Sequence, residues 1–208
     1  MDAEHYFSSS PTSTQRLRRI SVNLAGQDFT VTTANGIFSP EHVDTGTRVL
    51  LDHVPAPPVS GNVLDIGTGW GPMAMTLSLL APHTTVWAVD VNDRVLELVA
   101  KNAAEYGLDN INAVHPQDVP DDLAFATIWS NPPIRVGKAE LHAILLTWLP
   151  RLLPGADAWL VVQRNLGSDS LQRWLNDTLG ESFTTTFAET SKGFRLLQVH
   201  RADDSAAL

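Results

Sequence analysis

The stretch from Val63 to Pro72, Val-Leu-Asp-Ile-Gly-Thr-Gly-Trp-Gly-Pro, decides the fold. A short apolar run ends in Asp65, three glycines follow at alternate positions, and Pro72 suits the first turn of a helix because its φ is fixed and it has no N–H. The pattern predicts a strand, a tight glycine turn and a helix. Glycine tolerates positive φ and has no Cβ, so such a turn brings backbone N–H groups and a helix N-terminus close to a ligand. The predicted ligand is a small metabolite that carries a carboxylate or a phosphate.

The spacing of the glycines distinguishes two kinds of nucleotide-binding turn. A dinucleotide fold typically has G-x-G-x-x-G, and counted from Gly67 and Gly69 its third glycine would fall on Pro72. The sequence has D-x-G-x-G-x-G instead, which resembles the first motif of class I S-adenosylmethionine-dependent methyltransferases. A glycine-rich turn that binds nothing is the alternative, and the rest of the chain decides between them.

Length and composition indicate one α/β domain with no disulfide framework. The chain has 208 residues, enough to bury a full core, and no cysteine for a thiolate nucleophile or metal site. Its first thirty residues contain Asp2, Glu4 and Asp28 but no apolar stretch of signal-peptide length, and no later run approaches a membrane span. We therefore expect a soluble, cytoplasmic protein with no membrane partner.

The net charge of −9 argues against a broad nucleic-acid-binding surface, because affinity for phosphates comes mainly from Lys and Arg. Any RNA contact is expected to be local. The basic residues form three clusters, each of which could equally be a solvated surface: Arg16, Arg18 and Arg19; Arg135 and Lys138; Lys192 and Arg195.

Other catalytic patterns are absent from the sequence. The seven histidines include no pair at metal-ligand spacing, so no metal is predicted. There is no G-x-S-x-G elbow and no G-x-x-x-x-G-K-[ST] loop, which leaves hydrolase and nucleoside-triphosphatase functions without support.

Strands and helices are predicted to alternate along the chain, which is typical of βαβ units and a mostly parallel sheet. We predict a Rossmann-like α/β fold with a seven-stranded sheet, a C-terminal antiparallel hairpin and a small N-terminal β-hairpin over 20–38. Residues 1–15 are predicted to be flexible, and 16–208 to form a single domain. The expected strands of the sheet are 61–65, 84–89, 111–115, 125–129, 158–163, 183–188 and 194–200. Helices are predicted after caps at Asp44, Asn92 and Ser168, from Pro72, and over about 138–153.

Three short motifs fall at the carboxyl ends of predicted parallel strands, where α/β folds bind ligands. They are the glycine turn, Asp90 after the second strand, and Asn131 to Pro133 after the fourth. Asp90 lies 19 residues beyond Gly71, where a carboxylate can accept both hydroxyl protons of a ribose, although it could also simply cap the next helix. Asp118, after the third strand, is the expected neighbour of an adenine amine or else an ordinary turn residue.

The tetrapeptide Asn131-Pro132-Pro133-Ile134 carries the most specific chemistry. It resembles the (Asp/Asn/Ser)-Pro-Pro-(Tyr/Phe) motif of methyltransferases that modify planar amino or amide nitrogens. The lone pair of such a nitrogen is delocalised, so the nitrogen is a poor nucleophile until acceptors hold its protons. The Asn131 side-chain oxygen and the Pro132 carbonyl could supply two acceptors. A bare Pro-Pro turn after a strand is the alternative.

From about Tyr6 to His200 the chain resembles the "methyltransferase small" family, whose best-known members are small-subunit ribosomal RNA guanine-N2 methyltransferases. The resemblance rests on four stretches: 36–47, with the family's G-x-F-S…D-x-G-x-x pattern, 65–71, 130–133 and 192–195. The chain is most similar to compact single-domain members. It departs from the two-domain enzymes in having Ile134 where they have an aromatic ring, so base stacking would have to come from elsewhere. We also expect it to be without their extra N-terminal domain, a substrate-docking surface.

The resemblance implies S-adenosylmethionine as cofactor and a set of site residues. Catalysis is expected at Asn131, Pro132 and Pro133. Substrate contacts are expected at Ile134, Arg135 and Lys138. Cofactor contacts are expected at Phe38, Thr47, Asp65, Gly67, Thr68, Gly69, Gly71, Asp90, Val91, Asp118, Val119 and Asn131.

The function that follows is methylation of an exocyclic amino nitrogen, guanine N2 in 16S-type ribosomal RNA, with the RNA or the small subunit as partner. The target base would have to be single-stranded or flipped out of a helix to reach such a site. Two alternatives stay open: N-methylation of a glutamine amide in a protein, which the acidic net charge slightly favours, and a non-catalytic protein that binds S-adenosylmethionine.

Overall fold

The computed structural model describes residues 14–203, and the expectation of flexibility for residues 1–13 lies outside them. The strands are β1 (Leu17–Leu24), β2 (Gln27–Ala34), β3 (Gly61–Ile66), β4 (Thr84–Val89), β5 (Ile111–Val114), β6 (Phe125–Ser130), β7 (Leu152–Gln163), β8 (Phe183–Ser191) and β9 (Phe194–Arg201). The helices are α1 (Thr45–His53), α2 (Pro72–Leu80), α3 (Asp93–Glu105), α4 (Lys138–Trp148) and α5 (Ser168–Thr178).

Seven strands form one mixed sheet in the order β5-β4-β3-β6-β7-β9-β8. The five strands from β5 to β7 are parallel, and β9 pairs antiparallel with both β7 and β8. The predicted Rossmann-like fold class is therefore confirmed. Since β3 lies between β4 and β6, the loops after these three strands emerge side by side at one edge of the sheet.

Apolar side chains cover both faces of this sheet. On one face, α1, α2 and α3 pack with the N-terminal hairpin, and the cluster includes the buried indoles of Trp70 and Trp129. On the other face, α4 and α5 contribute Leu145, Trp148 and Leu175 to a second buried cluster. Helices on both faces bury most of the two central strands, β3 and β6, which explains why these strands read as continuous apolar runs in the sequence.

Local sequence signals set the ends of α1 and α3. The Asp44 carboxylate caps α1 by accepting hydrogen bonds from the N–H groups of Gly46 and Thr47, and Asn92 caps α3 through the N–H of Arg94, both as predicted. Gly107, at φ +64°, follows the last turn of α3 in the expected C-terminal position.

Side chains of α3 attach the N-terminal hairpin to the domain. The β1–β2 pair is a separate two-stranded sheet, close to the predicted boundaries. The Asn102 amide accepts from the N–H of Thr32 (2.8 Å) and donates to its carbonyl (3.0 Å), and the Tyr106 hydroxyl makes the same two bonds with Thr30, both at 2.9 Å. Side chains four positions apart, at 102 and 106, thus bind the backbone of strand residues two positions apart, because both spacings are about 6 Å.

Three predicted boundaries are wrong: the end of α4, which was predicted at about 153, the start of β7 and the cap of α5. Helix α4 ends at Trp148 and passes through a 3-10 turn containing Pro150, so β7 begins at Leu152, beside Phe125 of β6, rather than at 158. Ser168 does not cap α5: Gly167 precedes the helix at φ +99°, makes no side-chain cap, and Ser168 is the first helical residue. At β7 the pairing of Leu152 with Phe125 overrides the local pattern of Pro and Gly.

Candidate active site

The loops after β3 and β6 and the segment before α1 meet around one small pocket. Each contributes side chains or backbone atoms that the motifs predict. The lining residues are Phe38, Ser39, Asp44, Thr47, Gly67, Thr68, Gly69, Trp70, Pro72, Met73 and Asn131. The structure thus brings together six of the predicted site residues, Phe38, Thr47, Gly67, Thr68, Gly69 and Asn131.

Asp65 fixes the shape of the glycine loop from below. Its side chain is completely buried, and Oδ2 accepts hydrogen bonds from the Thr68 hydroxyl (2.7 Å) and the Ala74 N–H (3.0 Å). Burial raises the pKa of Asp65 to about 7, although the bonds from Thr68 and Ala74 lower it, and the nearby charge of Asp90 raises it further. Its other oxygen, Oδ1, is buried with no hydrogen-bond partner among the described residues, so a positive charge near the loop would stabilise the ionised form of Asp65.

The backbone of the loop is anchored to β4, because the N–H groups of Gly67 and Thr68 both donate to the Val89 carbonyl, at 2.8 and 3.1 Å. All three glycines have positive φ. At Gly67 and Gly69 an added Cβ would meet no atom within 4 Å, so the absence of side chains leaves space for a ligand. Gly71 differs, since a Cβ there would lie 3.3 Å from the Val99 side chain and the helix could not pack as closely.

Asp90 lies beside the loop at the end of β4. Its carboxylate accepts from the Asn92 N–H (3.0 Å) and, at 3.4 Å, from the Gly69 N–H. Burial raises the pKa of Asp90 to about 6, and the surrounding backbone N–H groups and the charge of His115 oppose that rise. The side chain after it, Val91, is partly exposed.

Six predicted cofactor residues do not line this pocket. Asp65, Gly71, Asp90 and Val91 belong to the glycine loop or lie next to it, whereas Asp118 and Val119 lie farther away. Asp118 lies exposed in a 3-10 turn after β5, and Val119 is buried in the core on the α4–α5 face of the sheet. Their roles stay predictions.

Asn131 occupies the side of the pocket opposite the glycine loop. Its Nδ2 donates to Asp44 Oδ2 (2.9 Å) and to the Thr47 hydroxyl (3.1 Å), so the two hydrogens of the amide are used within the chain. Pro132 is buried, and its carbonyl accepts from the Ile134 N–H at 2.8 Å. A carbonyl oxygen has two lone pairs, so one acceptor position of Pro132 is still available. Pro133, half-buried, completes this tight turn.

The predicted substrate residues lie on a neighbouring surface. Ile134 and Lys138 line a second cavity of about 140 Å³, between α4 and α5, that also includes His142 and Ser170. Lys138 is exposed. The backbone of Arg135 belongs to a 3-10 turn, and its side chain lies outside the described part of the chain.

Sequence reasoning missed two contacts that organise the site. Asp44 was predicted only as a helix cap, yet it also holds Asn131, which is 87 positions away. The buried Trp70 indole donates to the Ser39 carbonyl at 3.1 Å and so joins the glycine loop to the segment before α1. The Asp-x-Gly sequence of residues 44–46 indicates that Asp44 has a special role, whereas no local pattern indicates the bond from Trp70 to Ser39.

These features fit one class of cofactor. Side-chain-free glycines open the space before a helix N-terminus, and the carboxylates of Asp65 and Asp90 accept hydrogen bonds from the loop that carries these glycines. A doubly wound sheet with D-x-G-x-G-x-G after one strand, an acidic residue after the next and Asn-Pro-Pro after a third defines a class I methyltransferase. Within residues 14–203, no three His, Asp or Glu side chains are grouped to hold a metal ion, and no helix is long and apolar enough to cross a membrane.

The profile of the Methyltransferase small domain family matches residues 28–198. The chain therefore belongs to this family, which confirms the resemblance predicted from its motifs, and S-adenosylmethionine is the cofactor for which its site is built.

Similar proteins support the same assignment. A Bacillus subtilis protein named "Uncharacterized protein YbxB" is 32% identical over 202 residues, 96% of this chain and 99% of its own length. The ribosomal RNA small subunit methyltransferase C of Vibrio cholerae is 28% identical over 153 residues, 71% of this chain but only 44% of its own length. A 16S rRNA N2 methyltransferase of T. thermophilus, solved with AdoMet and guanosine, superposes with a TM-score of 0.77 at 22% identity, covering 92% of this chain and 52% of that one. The chain thus spans about half the length of these two ribosomal RNA enzymes.

Proposed function

We propose that this protein transfers the methyl group of S-adenosylmethionine to the exocyclic amino nitrogen of a guanine, N2, in small-subunit ribosomal RNA. The observation that carries the proposal is the position of Asn131. Its side chain shares a pocket with the glycine loop, and both of its amide hydrogens are bound by Asp44 and Thr47. Only its oxygen is left to contact an incoming group.

The chemistry of an aromatic amine fits such an acceptor. The lone pair of the N2 nitrogen is delocalised into the ring, and it becomes available only when the nitrogen's protons are held by acceptors. Asn131 Oδ1 and the second lone pair of the Pro132 carbonyl are two such acceptors. The cofactor supplies an activated methyl group, so the task of this chain's residues is to align the nitrogen and keep its protons in place.

The names of the relatives favour RNA over protein as the substrate. The Vibrio cholerae relative is named as a ribosomal RNA methyltransferase, and the T. thermophilus neighbour is described as a 16S rRNA N2 methyltransferase in complex with guanosine. The basic residues that follow Asn131 in the sequence, Arg135 and Lys138, supply positive charge for local phosphate contacts of the kind that an acidic protein requires.

The test is to find the molecule that accepts the methyl group. The purified protein is incubated with radioactive donor and, separately, with free 16S ribosomal RNA, assembled small subunits and total soluble protein from cells that lack the gene. We expect label that ribonuclease removes and protease does not, and nucleoside analysis should identify N2-methylguanosine. The Asn131→Ala protein measures the background.

Three other outcomes would contradict the proposal. Label that resists ribonuclease and is released by protease would indicate a glutamine amide, the other planar nitrogen that this motif serves. Label in RNA at a nucleoside other than N2-methylguanosine would keep the RNA substrate and reject the guanine. Donor binding by calorimetry with no acceptor in any fraction would indicate a binding protein without this activity.

A further inference from the structure

The side-chain amide of Asn131 has two ends of opposite hydrogen-bonding character, and only the oxygen can hold the protons of an amine. We propose that Asp44, together with Thr47, is a positioning residue that binds the Asn131 NH2 group and thereby turns the amide oxygen toward the acceptor substrate. The inference rests on the proposed function, because it assigns Asn131 the role of proton acceptor. It adds a residue outside the Asn-Pro-Pro motif to the machinery of the reaction.

The chemistry of the contact fixes the orientation. Asn131 Nδ2 lies 2.9 Å from Asp44 Oδ2 and 3.1 Å from the Thr47 hydroxyl. A carboxylate accepts hydrogen bonds and cannot donate them, so a reversed amide would place its oxygen against the oxygen of Asp44. The hydroxyl of Thr47 alone would tolerate either orientation, since it can donate as well as accept. The carboxylate is therefore the group that distinguishes the two ends of the amide.

Asn131 Oδ1 is left open by this arrangement. Among the described residues no donor is placed on it, and it is absent from the buried polar atoms that have no partner. An acceptor that is accessible but unpaired within the chain is what a substrate amine requires. Asp44, Thr47 and Asn131 all line the same pocket as Gly67 and Gly69.

Asp44 is itself held in place by α1. The same oxygen that binds Asn131 accepts from the N–H groups of Gly46 (2.8 Å) and Thr47 (3.3 Å), at the positive end of the helix. A Cβ on Gly46 would lie 2.8 Å from the Phe194 ring and 3.0 Å from the Asp44 carboxylate. A side chain at position 46 would therefore displace the carboxylate or the ring of β9. This arrangement explains the Asp-x-Gly sequence: the Asp44 carboxylate both caps α1 and orients the Asn131 amide, and Gly46 leaves room for it.

Serine at position 44 separates the two roles of the carboxylate. Serine is as good a helix cap as aspartate, but it is one atom shorter and carries no charge to hold the Asn131 amide. For Asp44→Ser we expect a kcat lower by about 10- to 100-fold, the usual effect of a misaligned catalytic group, with donor affinity within about threefold of the wild type. The melting temperature should change by no more than a few degrees.

Two further variants bracket this result. Asp44→Asn keeps the cap, because the N–H groups of Gly46 and Thr47 hold its amide oxygen at the position of Oδ2. That oxygen still accepts from the Asn131 NH2 group, so kcat should fall much less than in Asp44→Ser. Val49→Ala, in the buried face of the same helix, should lower the melting temperature more than Asp44→Ser while kcat at low temperature stays within about twofold. A loss of kcat in Val49→Ala as large as in Asp44→Ser would assign the effect to helix stability and overturn the inference.

Two readouts separate positioning from a general structural role. The side-chain NH2 signal of Asn131 in the NMR spectrum of the ligand-free protein should move toward the position of a solvated amide in Asp44→Ser and be unchanged in Val49→Ala. In kinetics, Asp44→Ser should slow the wild type but not the Asn131→Ala variant, because a residue that acts through Asn131 has no effect without it. An unmoved NMR signal, or equal slowing in both backgrounds, would overturn the inference.

The same series distinguishes this inference from the proposed function. If Asn131→Ala is inactive and Asp44→Ser keeps full kcat, the positioning role is wrong and the proposed function stands. If Asn131→Ala keeps full activity, the role of Asn131 in the proposed function is wrong.

Discussion

The glycine loop after β3 and the Asn131 loop after β6 lie on adjacent strands at one edge of the sheet, yet they are constructed differently. The glycine loop is held from within, by buried Asp65, by two backbone bonds to Val89 and by positive φ at three positions. The Asn131 loop is held from outside, by Asp44 and Thr47 of the segment that begins α1, and it continues into the exposed surface at Lys138.

The difference follows from what each loop has to recognise. The donor is one small molecule, so the backbone of the glycine loop and a few buried groups are enough to bind it. The residues that do so form a short motif that can be recognised in the sequence. The acceptor approaches from outside, so its recognition depends on a few side chains at the pocket and on an open surface beyond them. A change in the first loop should therefore affect donor binding, whereas a change in the second should affect turnover.

The largest separation of these effects is expected for Asn131→Ala. Removing one positioned polar group that contacts the reacting atoms costs about 100- to 1,000-fold in rate, and we expect a fall in kcat of this size. Donor affinity should stay within about threefold, because the glycine loop is unchanged. Steady-state kinetics and calorimetry measure the two quantities. A large loss of donor affinity would remove the distinction between the loops.

The next largest effect is expected for Gly71→Ala on the donor side. The new Cβ would meet Val99 at 3.3 Å in a backbone conformation, φ +97°, that L-residues rarely adopt, so we expect a loss of about 1–3 kcal/mol in the free energy of unfolding and weaker donor binding. Gly26→Ala is the matched control: its φ is +77° but nothing lies within 4 Å, so only the backbone strain is added. Denaturation curves that show equal losses would contradict the role of Val99.

A smaller effect, a change of about tenfold in donor affinity, is expected when the pH is varied. Burial raises the pKa of Asp65 to about 7, and a cationic donor favours the ionised carboxylate, so donor affinity should rise between pH 6 and pH 8 with release of protons on binding. Stability should change in the opposite sense. Because the folded pKa lies above the unfolded value of about 3.9, the folded state binds more protons, and the contribution of Asp65 to stability is lost as the pH rises from about 4 to 7.

Asp65→Asn tests both signs of this pH effect. The variant should bind the donor with an affinity that depends less on pH, and its melting temperature should fall less steeply across the same range. Calorimetry in buffers of different ionisation enthalpy counts the protons released. A wild-type affinity that is constant from pH 6 to pH 8 would contradict the assignment.

The smallest effect is expected on the open surface of the acceptor side. If Lys138 contacts a phosphate, Lys138→Ala should raise KM for RNA by about two- to fourfold and reduce the dependence of log KM on log salt by about one unit. Lys101→Ala, an exposed lysine on α3, is the control of equal charge and should leave KM unchanged. Equal effects of the two variants would indicate only a general attraction of RNA to positive charge.

The sequence predicts this fold well where the determinants are local. The caps at Asp44 and Asn92, the glycine after α3 and the alternation of strands with helices each depend on residues within a few positions of one another. The start of β7 was wrong because it is set by pairing with Phe125 of the distant strand β6. The cap of α5 was wrong by one residue, since Gly167 at positive φ precedes the helix and Ser168 is already part of it.

The same distinction applies to the site. The glycine turn and Asn131 are recognisable as short motifs, and the structure places them in one pocket. The bond from Asn131 to Asp44 spans 87 positions, and that from Trp70 to Ser39 spans 31. The Asp-x-Gly sequence marks Asp44 as a special position, but no local window shows which distant residue it binds. Asp118 was predicted from its place after a strand alone, and it lies exposed outside the pocket, because that place says nothing about the direction of a short turn.

The bonds from Asn102 and Tyr106 to the backbone of β2 have a consequence for how the molecule opens. A two-stranded hairpin is only marginally stable by itself. Here the side chains of Asn102 and Tyr106 make hydrogen bonds to the backbone of β2, as a third strand would. The amide hydrogens of Thr30 and Thr32 can reach solvent only when the hairpin parts from α3, so these two elements exchange as one cooperative unit. Since the outer edge of β2 is already paired at these positions, it offers no template for a strand of another molecule.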